Sequence, residues 1–229
     1  VFFTSDHGIH FGELRLGAGE WNVYDTDVRV PMRISGPGIA PNSKLGLVGS
    51  HVDLAPTWLG LAGVDTPADM DGRSLVHALV DTASNLPSSV VSHLNRQAGS
   101  RPSSSLYRGR ALERGALPVG GAYIEYHGLG LTGSPGRLGD AFNNTYRALR
   151  VVDRREGGLG NVLFSEFGDF GFENVFFREF FDLDSDQWQK RNVYEMLPSE
   201  AKTAWANRVG DMFACRGARC RTDLSTEMN

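Results

Sequence analysis

The chain has 229 residues, 41% of them hydrophobic and 22% charged, with 23 Lys plus Arg set against 27 Asp plus Glu. Those are globular proportions, with enough chain for a sizeable core. The net charge of −4 argues against a general nucleic-acid or membrane-surface binder, both of which carry a basic excess, and no apolar run is long enough to span a bilayer.

The chain opens on Val1-Phe2-Phe3, a short apolar run closed by a turn. Such a run predicts a strand buried on both faces. A chain that begins on an interior strand is expected to be a fragment, so the missing initiator Met and leader say nothing about targeting. Asp6, His7 and Gly8 follow at the strand's tip. In an α/β sheet the strand ends border the crevice where ligands bind. Asp6 offers hard carboxylate oxygens, suited to Ca²⁺ or Mg²⁺, and His7 an imidazole nitrogen, suited to Mn²⁺ or Zn²⁺. Taken alone, the dipeptide also reads as a surface turn with a capping role.

Arg29-Val30-Pro31-Met32-Arg33-Ile34 predicts a second strand, with Pro31 at its start or on an edge. Leu47-Val48 precedes Ser50-His51-Val52-Asp53, where Asp53 suits a helix N-cap. Leu54, Trp58, Leu61 and Ala62 then recur at helical spacing until Gly63. Asp71-Gly72 is a turn, and residues 74–80 read as a further short helix. Strand, helix and strand together predict an α/β unit over residues 1–95.

Residues 96–118 are rich in Arg, Ser and Pro and lack apolar periodicity, as a linker or long loop would. Arg96, Arg101, Arg108, Arg110 and Arg114 face only Glu113 there. They read as a solvated loop or as a rim that attracts an anionic substrate.

Residues 119–229 predict a smaller subdomain. Strand-like runs at 122–126, 145–152, 162–167 and 175–183, separated by turn residues, predict a four-stranded antiparallel meander. Ser199 and Glu200 open a helix whose apolar stripe is Ala201, Ala204, Trp205, Val209, Met212 and Phe213. Phe176, Phe177, Phe180 and Phe181 are expected in the core. Cys215 and Cys220 are too few for a structural zinc site, and a local disulfide between them fits an oxidising compartment. Asn143-Asn144-Thr145 is an N-glycosylation acceptor pattern that points the same way.

The blocks TSDHGIHFGELRLG, YDTDVRVPMRISGPGI, SHVDLAPTWLGLAGV and MDGRSL resemble the C-terminal half of the sulfatase family, within the alkaline-phosphatase-like superfamily. GAYIEYHG, DAFNNTYRALRVV, REFFDLDSDQWQKRNV and FACRGARCRT are similar to the ends of N-acetylglucosamine-6-sulfatases and their extracellular heparan-sulfatase relatives. The resemblance implies the end of a sulfatase α/β domain followed by a small antiparallel subdomain with a C-terminal helix. It also implies a metal- and formylglycine-dependent sulfuric ester hydrolase, acting on the 6-O-sulfate of N-acetylglucosamine in sulfated glycans.

Carried over residue by residue, Asp6 and His7 stand at two of the positions that bind a divalent cation, commonly Ca²⁺, with Mn²⁺ or Mg²⁺ as other candidates. Two further carboxylates and the formylglycine, made from Cys or Ser in a C/S-x-P-x-R motif, lie upstream in the family. Neither cysteine sits in that motif, and Ser100-Arg101-Pro102-Ser103-Ser104 lacks its final Arg. The chain by itself is therefore expected to be inactive, the partner of a missing N-terminal half. His10 stands where the family has a histidine able to reach the ester or the leaving alcohol; a hydrogen-bonded histidine in the pocket wall is the other reading. Glu20 occupies the family's lysine position. Either a cation such as Arg15 or Lys44 replaces that lysine, or the leaving group differs, or activity is lost; a protonated Glu20 acting as general acid is a further reading. His51 and Asp53 read as structural, and Arg29 and Arg33 as partners of acids. The paired cysteines match the subfamily and imply a secreted, extracellular or lysosomal protein. Two rivals stand beside this reading: a phosphodiester or phosphonate ester hydrolase of the same superfamily, and a catalytically degenerate glycan-binding homologue.

Overall fold

The computed structural model describes residues 1–45, 47–80, 119–130, 140–153 and 158–221. The Arg-rich segment 96–118 lies outside the described residues. The strands are β1 (Phe2–Phe3), β2 (Arg33–Ile34), β3 (Leu47–Val48), β4 (Val119–Tyr126), β5 (Tyr146–Asp153), β6 (Gly160–Gly168) and β7 (Val175–Asp182). Among the described residues the α-helices are α1 (Asp25–Val28), α2 (Leu54–Leu61), α3 (Val76–Leu79) and α4 (Ser199–Ala214).

The expected meander is present: β4, β5, β6 and β7 pair antiparallel in sequence order. It is not purely antiparallel, because β3 adds to it in parallel, Leu47 facing Val119 and Val48 facing Gly120. Gly120 permits this. Its φ is +129°, and a side chain there would come within 3.2 Å of the Val48 carbonyl oxygen. The sheet is therefore mixed and five-stranded, and its first strand comes from the early part of the chain.

Both sheet faces are covered. On one, Leu149, Val151, Val162, Phe164 and Phe180 pack against Trp205 and Val209 of α4. On the other, Tyr146, Ala148, Leu163, Phe181 and Leu183 pack against Val23. The interior strand β6 is accordingly buried almost throughout, as a strand covered on both sides must be. Phe180 and Phe181 fall into the two cores. Phe176 and Phe177, expected with them, are exposed.

The first 80 residues are built from much shorter pieces. The strand predicted to be buried on both faces is instead half of a two-stranded antiparallel ribbon, Phe2 facing Ile34 and Phe3 facing Arg33, with Val1 and Phe3 exposed. The second strand shrinks from 29–34 to Arg33–Ile34, since Pro31 has no N–H for a ladder. Asp53 does not cap α2 directly. It sits at the third position of a 3-10 turn that starts after Ser50, and its carboxylate accepts the Ser50 and Arg73 amides. The buried face of α2 is Pro56, Thr57 and Gly60. The predicted stripe does not match it, and Trp58 is exposed with an edge against Phe2. Thr57 donates to the Asp53 carbonyl (2.6 Å) and accepts the Leu75 amide (2.9 Å). That ties α2 to α3, whose Val76 and Leu79 form a small core with Phe2, Ile34 and Leu61.

Cys215 and Cys220 are joined, their Cα atoms 5.3 Å apart. The closed loop returns to the early part of the chain. Gly217 donates to Asp71 (2.5 Å), Ala218 to the Ala68 carbonyl (2.8 Å) and Arg221 to the carbonyls of Met70 (2.7 Å) and Pro67.

Candidate functional site

The tip of β1 is seated by a glycine. Gly8 donates its amide to the Asp27 carbonyl (2.7 Å), and a side chain there would fall 2.0 Å from the Thr26 carbonyl oxygen. Ser5 and the His7 amide both donate to Asp6 Oδ1, at 3.2 and 3.0 Å, and these donors hold the Asp6 carboxyl below its ordinary range. His7 Nδ1 lies 2.7 Å from the Gly8 carbonyl. A carbonyl can only accept, so Nδ1 carries the proton and the neutral ring presents the lone pair of Nε2. Nε2 lies 3.5 Å from Asp6 Oδ2, with the two side chains 45% and 83% exposed. The Gly8 carbonyl, aided by the negative charges of Asp6, Glu20 and Asp27, pushes the imidazole pKa up.

This arrangement fits half of a cation site. A carboxylate oxygen and an imidazole nitrogen converge, open to solvent, in a negative local field. The imidazole is oriented through its other nitrogen by a backbone carbonyl, as metal-bound histidines are. Among the described residues no third acid, histidine or cysteine joins them to complete a metal-binding group.

Glu20 is brought to the same region. It is exposed; its charge contributes to the raised His7 pKa, and adds a little to the rise that burial and the Asp140 carboxylate give the Tyr126 phenol. It ends a small hairpin in which His10 and Gly19 exchange backbone hydrogen bonds of 3.0 and 3.2 Å. His10 lies inside that hairpin, only 1% exposed. Its Nδ1 is 2.9 Å from both Asp27 carboxylate oxygens, and Asn22 Nδ2 lies 3.3 Å from Nε2. His10 is thus buried and hydrogen-bonded beneath Gly19. Asp27 is equally buried and also accepts the Asn22 amide (2.9 Å) and the Thr26 hydroxyl (3.0 Å). His51 lies 3.5 Å from the Thr4 hydroxyl.

The sheet then holds α1 from beneath. Arg150 clasps Asp25 through Nε (2.8 Å) and Nη2 (3.2 Å), and Gln189 accepts the Asp25 amide (2.8 Å). Tyr24 donates to Glu179 (3.1 Å), which also accepts from Ser165 (3.3 Å). Burial pushes the Glu179 carboxyl up, and burial plus that carboxylate pushes the Tyr24 phenol far above its usual value. Asn144 donates to the Trp21 carbonyl (2.8 Å).

The sequence reading missed Asp27, Asn22 and this set of clamps. Tyr24-Asp25-Thr26-Asp27 was visible as a string, but nothing in its spacing shows which carboxylate meets a histidine and which an arginine. Asn143 of the acceptor pattern is exposed in a 3-10 turn, while Thr145 is buried, donating to the Phe142 carbonyl (2.9 Å) and accepting the Gly128 amide (3.0 Å).

Residues 1–64 match the family model described as Sulfatase. Human N-acetylglucosamine-6-sulfatase is 29% identical over 239 residues, covering 97% of this chain and 36% of that protein. The extracellular sulfatase SULF-1 homolog of Drosophila melanogaster is 45% identical over 80 residues, 35% of this chain and 7% of that protein. The chain thus spans about a third of the length of the curated relatives that it matches end to end. A protein solved in complex with its substrate D-glucosamine-2-N,6-O-disulfate has a TM-score of 0.60 at 19% identity, over 92% of this chain and 33% of that one. The phosphonate monoester hydrolase SpPMH from Silicibacter pomeroyi has a TM-score of 0.52 at 21% identity, over 93% of this chain and 33% of that one. At such identities these structures speak to fold alone, a mixed α/β architecture ending in this sheet. The start of the chain is thus similar to the sulfatase family, and nearly its whole length is similar to N-acetylglucosamine-6-sulfatase.

Proposed function

We propose that this chain supplies the strand-tip half of a sulfuric ester hydrolase that removes the 6-O-sulfate of N-acetylglucosamine units in sulfated glycans. The observation that carries this is the convergence of Asp6 Oδ2 and His7 Nε2, 3.5 Å apart at the end of β1, in a segment that matches the sulfatases. Asp6 and His7 would hold a divalent cation, with Ca²⁺ favoured by the hard carboxylate. When bound, such an ion polarises a sulfate oxygen and offsets charge as the S–O bond breaks.

The chain's own residues orient that pair. Gly8 seats the tip on α1, the Gly8 carbonyl fixes the His7 tautomer, and Asp27 anchors the hairpin through His10. Contact between His10 and a leaving oxygen would require the strand around Gly19 to move aside. The formylglycine and the remaining carboxylates belong to sequence outside these residues. On this reading residues 1–95 are part of the catalytic α/β domain, 96–118 a connection and 119–229 the small subdomain. The disulfide supports a secreted or lysosomal setting.

Glu20 favours a second reading, a degenerate glycan-binding homologue, because an ionised carboxylate facing a sulfate is repulsive by several kcal/mol. The experiment is an assay of this chain joined to upstream sequence that carries a C/S-x-P-x-R motif. It is run on 4-methylumbelliferyl sulfate, on glucosamine-6-sulfate and on a phosphodiester. Hydrolysis of glucosamine-6-sulfate above the other two supports the first reading. Preference for the phosphodiester rejects it, and inactivity that Glu20→Lys reverses selects the second.

A further inference from the structure

His127 just after β4, Phe142 in the turn before β5 and Phe170 in the β6–β7 turn meet at one end of the sheet. The His127 ring stacks on Phe170 with centroids 5.3 Å apart and planes 4° apart, and Phe142 meets Phe170 edge-on at 6.5 Å. Phe142 is 64% exposed, Phe170 55% and the neighbouring Leu129 61%. These rings are held in place although they face water. Phe142 lies over Gly130, where any side chain would sit 2.4 Å from its ring. His127 Nε2 is 2.7 Å from Glu125, whose other oxygen accepts the Tyr123 hydroxyl at 2.7 Å.

Fixed, outward-facing aromatic rings on a soluble protein mark a contact site. Their size says for what. Two half-exposed phenyl rings and a leucine offer roughly 350 Å² at the ring areas usual for such side chains. A stable protein partner needs about 800 Å² per side. One or two pyranose rings need far less, and their axial C–H groups suit the electron-rich faces of aromatic rings. The Glu125 carboxylate and the exposed Asn143 amide at the border can take sugar hydroxyls. The turn that carries Phe142 is also tied to the hairpin that ends at Glu20: Asn144, in the same turn, donates to the carbonyl of Trp21, the residue after Glu20 (2.8 Å).

We propose that His127, Phe142 and Phe170 form a platform for a sugar ring of a glycan chain whose reacting unit lies at the Asp6–His7 tip. This rests on the reading that the substrate is a glycan, and names the subsite that would hold the units beyond the one that reacts. The test is NMR titration of the unglycosylated 229-residue chain with an unsulfated N-acetylglucosamine tetrasaccharide. The His127 ring resonances should shift, and Phe142→Ala and Phe170→Ala should each weaken binding at least fivefold. Phe170→Trp should keep it, and Phe176→Ala, exposed elsewhere, should leave it unchanged. Melting midpoints should not move.

Absence of shifts at His127, or variants that bind like the parent, overturns the platform. So does concentration-dependent self-association that Phe142→Ala abolishes, since that would assign the patch to a protein contact. The hydrolysis assay separates this from the functional reading. Binding without sulfate release keeps the platform and sinks the sulfatase activity, whereas hydrolysis of a 6-O-sulfated N-acetylglucosamine tetrasaccharide, added to the assay, that is indifferent to both alanine variants sinks the platform alone.

Discussion

The five-stranded sheet and the strand-tip region are held together by different means. Strands β4 to β7 pair over their lengths and bury Leu149, Val151, Leu163 and Phe164 completely. In the first 80 residues each strand is two residues long. The turn that seats the candidate site is fixed mainly by polar side chains: His10 on Asp27, Arg150 on Asp25, Glu179 on Tyr24 and Asn144 on the Trp21 carbonyl. Three of these four clamps are anchored in or beside the sheet. The site therefore takes its order from the sheet, and that dependence can be broken at graded cost.

The largest loss should come from Phe164→Ala. The ring is fully buried between Tyr194 and Trp205, at 6.2 and 5.8 Å, so about 3–5 kcal/mol of stability should be lost. Denaturant titration reads the loss. Amide exchange at residues 20–28 should rise together with that of the strands; strands that loosen while 20–28 stay protected would show the site region to be independent. Arg150→Ala comes next. It leaves the Asp25 carboxylate, 15% exposed, without its bidentate partner, a change that costs about 3 kcal/mol for a buried pair. Here the exchange should rise first in α1 and only later in β5 and β6.

This contrast also explains what the sequence could disclose. The four long strands and α4 were legible because their apolar periods are strong and their turns carry Gly, Asn and Asp. The fate of Phe176 and Phe177 was not, because a strand run does not say where its covering helix ends. Nor was the parallel pairing of β3 with β4, a contact between residues 47 and 119 that no local pattern encodes. At the candidate site, Asp6 and His7 enter as candidates through motif resemblance alone. Their shared orientation was not legible, because it depends on the Gly8 carbonyl and on α1 packing behind it. His10 was legible as a candidate, whereas its burial against Asp27 depends on the hairpin closing through Gly19.

Between these extremes lies the disulfide. Replacing Cys215 and Cys220 together by Ala should cost about 2 kcal/mol, the value for a short closed loop. It should also free residues 217–221 from Ala68, Met70 and Asp71, so that limited proteolysis cuts there first. Uncut loops would mean that the hydrogen bonds to Pro67, Ala68, Met70 and Asp71 suffice. A smaller effect follows from Glu179. Its folded pKa is raised by burial, so the native state holds the proton at pH values where the unfolded chain, titrating near 4.3, has lost it. The stabilisation is full below the unfolded value and falls as pH rises through the folded one. Glu179→Gln keeps an acceptor for Tyr24 and Ser165 and should remove that fall. Melting midpoints from pH 4 upward should decline more steeply in the parent than in the variant. Parallel curves would place the titration elsewhere.

The smallest effect on stability should come from the residue of greatest interest. Asp6 is open to water and bonded only to its immediate neighbours, so without metal Asp6→Ala should leave the melting midpoint where it is. Its consequence should appear only when a cation is added. Half of a coordination set binds weakly, so the probe must register brief occupancy. Mn²⁺ does so, because its unpaired electrons broaden nearby resonances at low occupancy. In the parent chain the His7 ring signals should broaden first, well before those of His51, His127 or the buried His10. In Asp6→Ala that preference should vanish while the fold is untouched. Equal broadening of all histidines in the parent would mean that the two donors, although they face each other, do not act on one ion.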